Sequence, residues 1–528
     1  MKDHRSIFNL AKSAVCVRIP LVGAVFFGLT SSARAQDWPM WGNTPSRNMV
    51  NLSNSGIPEN FEPGEFLGNS EEIDPKSTRG VRWVAKLGSQ AYGNPAIAGG
   101  IVLVGTNNEA PRDPEQVGDR GVLMAFDEES GEFLWQLLVP KLGAGKVSDW
   151  EYVGLCTSPA VVGDRAYLVS NRGQVLAIDM KGMVDGNDGP FMDEGKFMAV
   201  SAKTPVVVND THADIIWSFD MRDELGAFPH NVSSCSPLVV GNRVYVTTSN
   251  GVDWSHTNIP APFSPAFIVL DRETGELLGE EVSGISARAL HASWSSPSYG
   301  EVNGSGMVFL GGADGWCYAY LPEPVPGDEG FDVLSELWRF DCNPAGYRNR
   351  NGKPIRYATA DGPSEIIATP VFYKNRVYVV IGQDPEHGDG KGALNCIDVT
   401  GRGDITADGA LWTYRDIGRS ISTVSIAGGL LFVAEYAGNI HCLDAETGEL
   451  LWIHATNSRI WGSTLVADGK VFIGTEDGEV VILRAGREHE LLNTVDLGAP
   501  VYSSAVAANG TLYIASQTHL FAIDGRVR

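Results

Sequence analysis

The chain has 528 residues, 61 of them glycine, and a formal charge of −24 from 40 Lys+Arg against 64 Asp+Glu. That balance argues against a nucleic-acid groove, which needs clustered cations, and against docking on an anionic membrane surface. A hydrophobic content of 43% excludes a disordered chain, and the glycine count points to many tight turns between short strands rather than to a helical bundle.

The N-terminus reads as a targeting segment. Lys2, Arg5, Lys12 and Arg18 precede a short apolar run over 19–30, and Ala33-Arg34-Ala35 gives a small-x-small cleavage site before Gln36. The run is too short to cross a bilayer, which takes about 20 apolar residues, and no later segment is long and apolar enough. Cys16 lies before the apolar run, so there is no lipobox. The expectation is a cleaved signal peptide over 1–35 and a periplasmic or secreted protein. Removing five cations and one anion takes the charge to −28. Residues 36–80, opening with Asp37-Trp38-Pro39-Met40-Trp41-Gly42, are expected to lie across the fold as an extended strap anchored by Trp38 and Trp41. Disorder is the alternative for the polar stretch 43–77.

From residue 81 the chain repeats itself. Each unit starts with a small polar residue, then an apolar strand, a turn, a second strand, and a third strand ending near Asp. Anchors in the second strand fall at Leu103, Tyr167, Tyr245, Phe309, Tyr378, Phe432, Phe472 and Tyr513, and the last two steps are 40 and 41 residues. The small polar residues are Asn94, Ser158, Ser236, Ser296, Thr369, Thr423, Ser463 and Ser504. Trp83, Trp135, Trp217, Trp338, Trp412 and Trp452 mark fourth strands. A period of about 40–45 residues with four short strands indicates a β-propeller, because one four-stranded sheet cannot bury both faces alone. The eighth copy ends without a fourth strand, and 81–87 has the pattern of one. The expected fold is therefore all-β: an eight-bladed propeller over 81–528, its ring closed by the N-terminal strand, which removes exposed sheet edges.

Ala125-Phe-Asp-Glu-Glu-Ser-Gly-Glu-Phe-Leu-Trp135 and Cys442-Leu-Asp-Ala-Glu-Thr-Gly-Glu-Leu-Leu-Trp452 resemble the pyrroloquinoline-quinone (PQQ) propeller repeat, whose hallmark is Ala-x-Asp-x-x-Thr-Gly-x-x-x-Trp. The resemblance covers 81–528. It implies a fold shared by quinoprotein alcohol dehydrogenases and by a non-catalytic propeller subunit of the outer-membrane barrel-assembly machinery. For the enzymes it implies PQQ and Ca²⁺ over the channel, Glu and Asn metal ligands, a catalytic Asp and adjacent cysteines. Asn250, in Thr248-Ser249-Asn250-Gly251, matches the ligand Asn, and Glu109 corresponds weakly to the ligand Glu. His291-Ala-Ser-Trp294-Ser295 resembles the stretch around the catalytic Asp but has no carboxylate. Adjacent cysteines are absent, and without a base such an enzyme could not take the substrate's hydroxyl proton.

Propellers bind ligands at the channel mouth, on loops leading into the innermost strands. Those loops carry Gln90, Tyr92, Glu151, Tyr152, His230, Asn231, His291, Trp294, Glu365, Arg419, Arg459, Trp461 and Tyr502. They suggest a funnel for a planar or anionic small molecule or an extended peptide, with Arg419 and Arg459 placed to grip one carboxylate; solvated loop side chains are the alternative. Two acidic insertions, one with Asp185 and Asp188 and one over 398–408, offer hard oxygen ligands for Ca²⁺ or are solvated turns. His387 is a lone loop histidine, able to join a metal site but more often exposed and idle. Cys317, Cys396 and Cys442 sit at equivalent third-strand positions and are expected to be buried and unpaired. A Cys156–Cys235 bridge is conceivable.

The reading favoured by the sequence is an exported, non-catalytic propeller that binds an envelope protein or a small ligand. The alternative is a PQQ- and Ca-dependent dehydrogenase with a diverged site.

Overall fold

The computed structural model describes residues 36–201, 203–328, 330–355 and 359–526; the expected signal peptide lies outside them. Eight antiparallel sheets form the blades of a β-propeller. Their innermost strands are Ala96–Ala98, Ala160–Val162, Leu238–Val240, Ser298–Val302, Val371–Tyr373, Ser425–Ala427, Leu465–Ala467 and Val506–Ala508, for blades 1 to 8. Blade 8 takes its outermost strand from the N-terminus: Val81–Lys86 pairs antiparallel with His519–Ile523, placing Trp83 opposite Ala522. The two ends of the propeller sequence thus share one sheet. Among the described residues no helix is long and apolar enough to cross a membrane.

The hallmark residues earn their spacing across blade boundaries. In four blades the Trp of the outermost strand donates its indole N–H to the carbonyl that follows the turn Asp of the next blade. Trp83 donates to Glu128, Trp135 to Met180, Trp217 to Arg272 and Trp338 to Val399. The turn Gly lies under that ring. Gly131 has φ +73°, and a Cβ there would lie 2.5 Å from the Trp83 ring; Gly448 stands in the same relation to Trp412. Gly and Trp of the repeat are therefore partners between neighbouring blades, not within one.

Each small polar residue stands two residues before its inner strand and binds the next blade. Ser158, Ser236 and Ser296 accept from the backbone N–H of Asn94, Ser158 and Ser236. Thr423, Ser463 and Ser504 accept from those of Thr369, Thr423 and Ser463. The Asn94 side chain accepts from Ser504 and closes the circle. Seven of the eight steps carry this bond. At the remaining step, between Ser296 and Thr369, the Thr369 hydroxyl accepts instead from the indole of Trp41.

Trp41 belongs to a segment that runs along the inner strands of every blade. Trp38 pairs with Ile97, Pro39 accepts from Val161, Pro45 from Tyr299, Ser46 from Phe372 and Met49 from Val466. Asn48 bonds Ile426, and Asn51 donates to Ala507. Arg47 supplies blade 3: its fully buried guanidinium donates to the carbonyls of Pro237, Pro297 and Trp41. Burial lowers its pKa to about 10, and four charge-assisted contacts to carbonyls (Ser236 is the fourth, at 3.3 Å) compensate for lost water. Trp38 and Trp41 of this segment are buried.

Two insertions extend blades rather than hanging free. Asp332–Leu334 pairs in parallel with the outer strand of blade 3, and Gly403–Asp404 with that of blade 4. All six cysteines from Cys156 onward are free thiols, so Cys156 and Cys235 are not bridged; the Cys235 sulfur accepts from the Thr247 N–H instead. Cys317, Cys396 and Cys442 are buried in third strands.

Candidate functional site

The mouth loops enclose a cavity of about 560 Å³ whose walls include Trp41, Tyr92, Trp150, Trp294, Trp461 and Tyr502. Its lining includes seven of the eight small polar residues that link the blades, Asn94, Ser236, Ser296, Thr369, Thr423, Ser463 and Ser504, so the cavity lies on the propeller axis. Trp41, tied to Thr369, makes the strap's contribution to the lining. On one wall Tyr92 stacks on Tyr502 at 5.2 Å and 10°, and Trp461 lies 4.6 Å from Tyr502. The Trp461 indole is held by Glu476 at 3.0 Å. Trp150 and Trp294 also line the cavity, the latter donating to the Val232 carbonyl.

Among the described lining residues the charged ones are Glu151, Asp384 and Glu386, all carboxylates. The two arginines expected at the mouth do not line the cavity. Arg419 is buried, and its guanidinium donates to the carbonyls of His387, at 3.2 Å, and Thr359. Arg459 donates to the Tyr436 hydroxyl and lies over that ring. They do not form the joint carboxylate grip, because each is committed to separate protein partners. An anionic ligand therefore lacks a counter-charge here. Of the residues expected at the mouth, Gln90, Tyr92, Glu151, Asn231, Trp294, Trp461 and Tyr502 line the cavity.

His230, His291 and Glu365 lie beside it in a second cluster. His230 and His291 come from the loops before blades 3 and 4. His256 comes from the insertion between Arg243–Thr247 and Phe267–Asp271 of blade 3. His387 comes from the turn Pro385–His387 in blade 5. The His230 and His291 rings are 4.4 Å apart, His256 lies 5.1 Å from each, and His387 lies 5.0 Å from His291 and 5.4 Å from His256. The Nδ1 of His291 is 2.9 Å from Asp384 and 3.4 Å from Glu365, without hydrogen-bond alignment. Asp384 also pairs with His387 Nδ1 at 2.6 Å. Glu365, fully buried, accepts from the Ala292 N–H at 2.8 Å.

Electrostatics divide the cluster. Burial works against a charged His291, but the carboxylates of Asp384 and Glu365 outweigh it and raise its pKa to about 9. Burial and the neighbouring imidazoles push His230 down to about 3, and the same causes lower His256. Burial raises the Glu365 pKa, whereas for Asp384 the close approach of His291 and the contact with His387 win over burial and lower it. His387 is thus half-buried and paired rather than exposed and idle, and His256 and Asp384 are functional candidates that the sequence reading passed over. Their partners come from other blades. The usable signal was that successive mouth loops each carry a histidine.

The other expected metal ligands are placed elsewhere. Asn250 is fully buried and its amide ties three neighbours: Oδ1 accepts from Phe228 N–H at 2.9 Å, and Nδ2 donates to Ala261 O and Ser286 Oγ, each at 2.9 Å. Glu109 is exposed on the blade 1 insertion. Asp185 pairs with Lys181 at 2.7 Å, and Asp188 is exposed, its N–H donating to Asp214. In the other acidic insertion Asp398 and Asp404 cap local turns through Thr400 and Thr406. The residues therefore do not fit a PQQ–Ca²⁺ centre: the matching Asn is tied to Phe228, Ala261 and Ser286, Glu109 is exposed on blade 1, and there is no adjacent cysteine pair.

No curated protein matches the chain. Solved structures share its fold at low identity. BamB from Moraxella catarrhalis is 14% identical with a TM-score of 0.50, over 84% of this chain and 97% of that one. A europium-containing methanol dehydrogenase is 13% identical with a TM-score of 0.57, over 91% and 89%. The quinohemoprotein alcohol dehydrogenase ADHIIG from Pseudomonas putida HK5 is 13% identical with a TM-score of 0.53, over 93% and 81%. The family model described as "Outer membrane protein assembly factor BamB" matches residues 74–187 and 335–527, more than half of the sequence. The chain belongs to this family of PQQ-like propeller-repeat proteins.

Proposed function

We propose that the chain is an exported, non-catalytic binding propeller whose channel mouth holds a planar, neutral or cationic small molecule. The observation that carries this reading is the cavity of about 560 Å³ walled by aromatic rings, with carboxylates as its only charged lining among the described residues. Such walls stack on flat groups, and desolvated rings attract cations. A periplasmic or secreted location follows from the signal-like N-terminus. The ties of Asn250 to neighbouring loops, with Glu109 exposed on blade 1 and no adjacent cysteines, count against the dehydrogenase reading.

Calorimetric titration of the chain with two planar probes tests this. Thioflavin T, a cation, should bind once per chain, and Trp461→Ala should weaken it at least tenfold. Anilinonaphthalene sulfonate, an anion, should bind more weakly. Preference for the anion, or thioflavin T binding indifferent to Trp461, would overturn the reading. An envelope protein is the second reading, favoured by Trp254 and Phe263, 55% and 98% exposed in the blade 3 insertion that also carries His256.

A further inference from the structure

The structure assigns a second site to the mouth: we infer that His230, His256 and His291 bind one divalent transition-metal ion of the zinc and copper class. Ligand atoms of these three side chains all lie within 4.8 Å of one another. A tetrahedral Zn²⁺ holds its nitrogen ligands about 3.3 Å apart at Zn–N distances of about 2.0–2.1 Å, so a modest inward closure of the rings completes the site. Three imidazoles and no hard oxygen cage select an ion of borderline softness over Ca²⁺.

The nitrogens await a partner. His230 is fully buried, yet neither of its ring nitrogens has a hydrogen-bond partner, and the Nε2 of His291, 1% exposed, has none either. Buried imidazole nitrogens left without partners are rare, since each forfeits its hydration. His291 shows a further mark of a metal ligand. Its Nδ1 faces the carboxylates of Asp384 and Glu365, which leaves Nε2 for the ion and fixes the ring, the arrangement of carboxylate–histidine–metal sites. Asp384 in turn is held by His387 and by the Glu386 N–H. His387 stands as a reserve: with His291 and Asp384 it forms an overlapping group within the same 4.8 Å limit. Three ligands leave the ion an open position. Trp294, 4.9 Å from the His291 ring, and Asp384 both line the aromatic cavity, so the ion would lie at its wall. The inference does not rest on the identity of the cavity's occupant, because metal binding is measured without one.

The test uses the chain without a polyhistidine tag, stripped with chelator and then titrated with Zn²⁺. One Zn²⁺ per chain should stay bound through gel filtration. Co²⁺ should give the visible absorbance of a nitrogen-ligated ion, and Ca²⁺ should not compete. His256 is half-buried, so His256→Ala spares the packed core and should weaken Zn²⁺ at least tenfold with its melting temperature without metal retained. His230→Ala should weaken Zn²⁺ by a similar factor. His454 and His489, an exposed pair 2.9 Å apart on blades 6 and 7, are the control, and His454→Ala should leave binding unchanged. Absence of retained Zn²⁺, or retention lost with His454→Ala and kept with His256→Ala, would overturn the assignment. Loss of thioflavin T binding alone would not touch it.

Discussion

The indole N–H of Trp41 donates to the hydroxyl of Thr369 across 2.9 Å, with both groups buried. This bond stands at the one step of the inter-blade circle that is not spanned by a backbone N–H and a small polar side chain. The strap thus completes the circle and contributes to the binding cavity with the same residue.

Removing that residue should loosen both. Trp41→Ala is expected to destabilise the chain by about 3–5 kcal/mol, the range for deleting a buried aromatic, and to lower thioflavin T affinity. Trp41→Phe keeps most of the packing and should lose only about 1–2 kcal/mol, for the missing hydrogen bond. Urea unfolding of the two variants checks the ordering.

The circle itself predicts uniform sensitivity at dissimilar positions. Ser504→Ala leaves the buried N–H of Ser463 without its acceptor and should cost about 1–3 kcal/mol. Ser504→Thr retains the oxygen and should cost less. Thermal unfolding would show equal losses for both if the hydroxyl were irrelevant.

Closure by the N-terminal strand has a pH signature. Arg82 of that strand and Arg526 both pair with Asp524 at the end of blade 8. Burial alone would raise the Asp524 pKa, but the hydrogen bonds from Arg526 and Arg82 prevail and hold it at about 2. A carboxylate with a depressed folded pKa stabilises above its unfolded value of about 3.9, and loses that contribution as pH falls through about 2. Asp524→Asn should therefore lower the melting temperature at pH 7, and the gap from wild type should shrink between about pH 4 and pH 2. A gap constant over that window would place the stabilisation elsewhere.

Reconstitution with pyrroloquinoline quinone and Ca²⁺ should give no dye-linked alcohol oxidation above background. Asn250 is occupied by Phe228, Ala261 and Ser286, and freeing it would release the loops it ties. Turnover that saturates with the quinone would restore the dehydrogenase reading.

The blades were legible in the sequence because hallmark residues recur from copy to copy and mark the same place in each blade. The Gly and Trp positions were readable from their spacing, and so was the closing strand, since Trp83 stands where other fourth strands carry Trp. What was not legible depends on contacts between blades. Arg419 looked like a free cation because nothing local shows that the His387 and Thr359 carbonyls surround it. His387 looked solitary, and His256 drew no notice, because their partners arrive from blades 3 and 4, or 4 and 5. Arg47 drew no notice as one polar residue in a polar strap, yet it is fully buried.

The most direct test of the binding account is a crystal structure of the chain grown with thioflavin T. The account predicts one dye molecule in the channel mouth, stacked between the Tyr92–Trp461–Tyr502 wall and Trp294. Dye found only on the exposed Trp254 and Phe263, with the mouth unfilled, would contradict it.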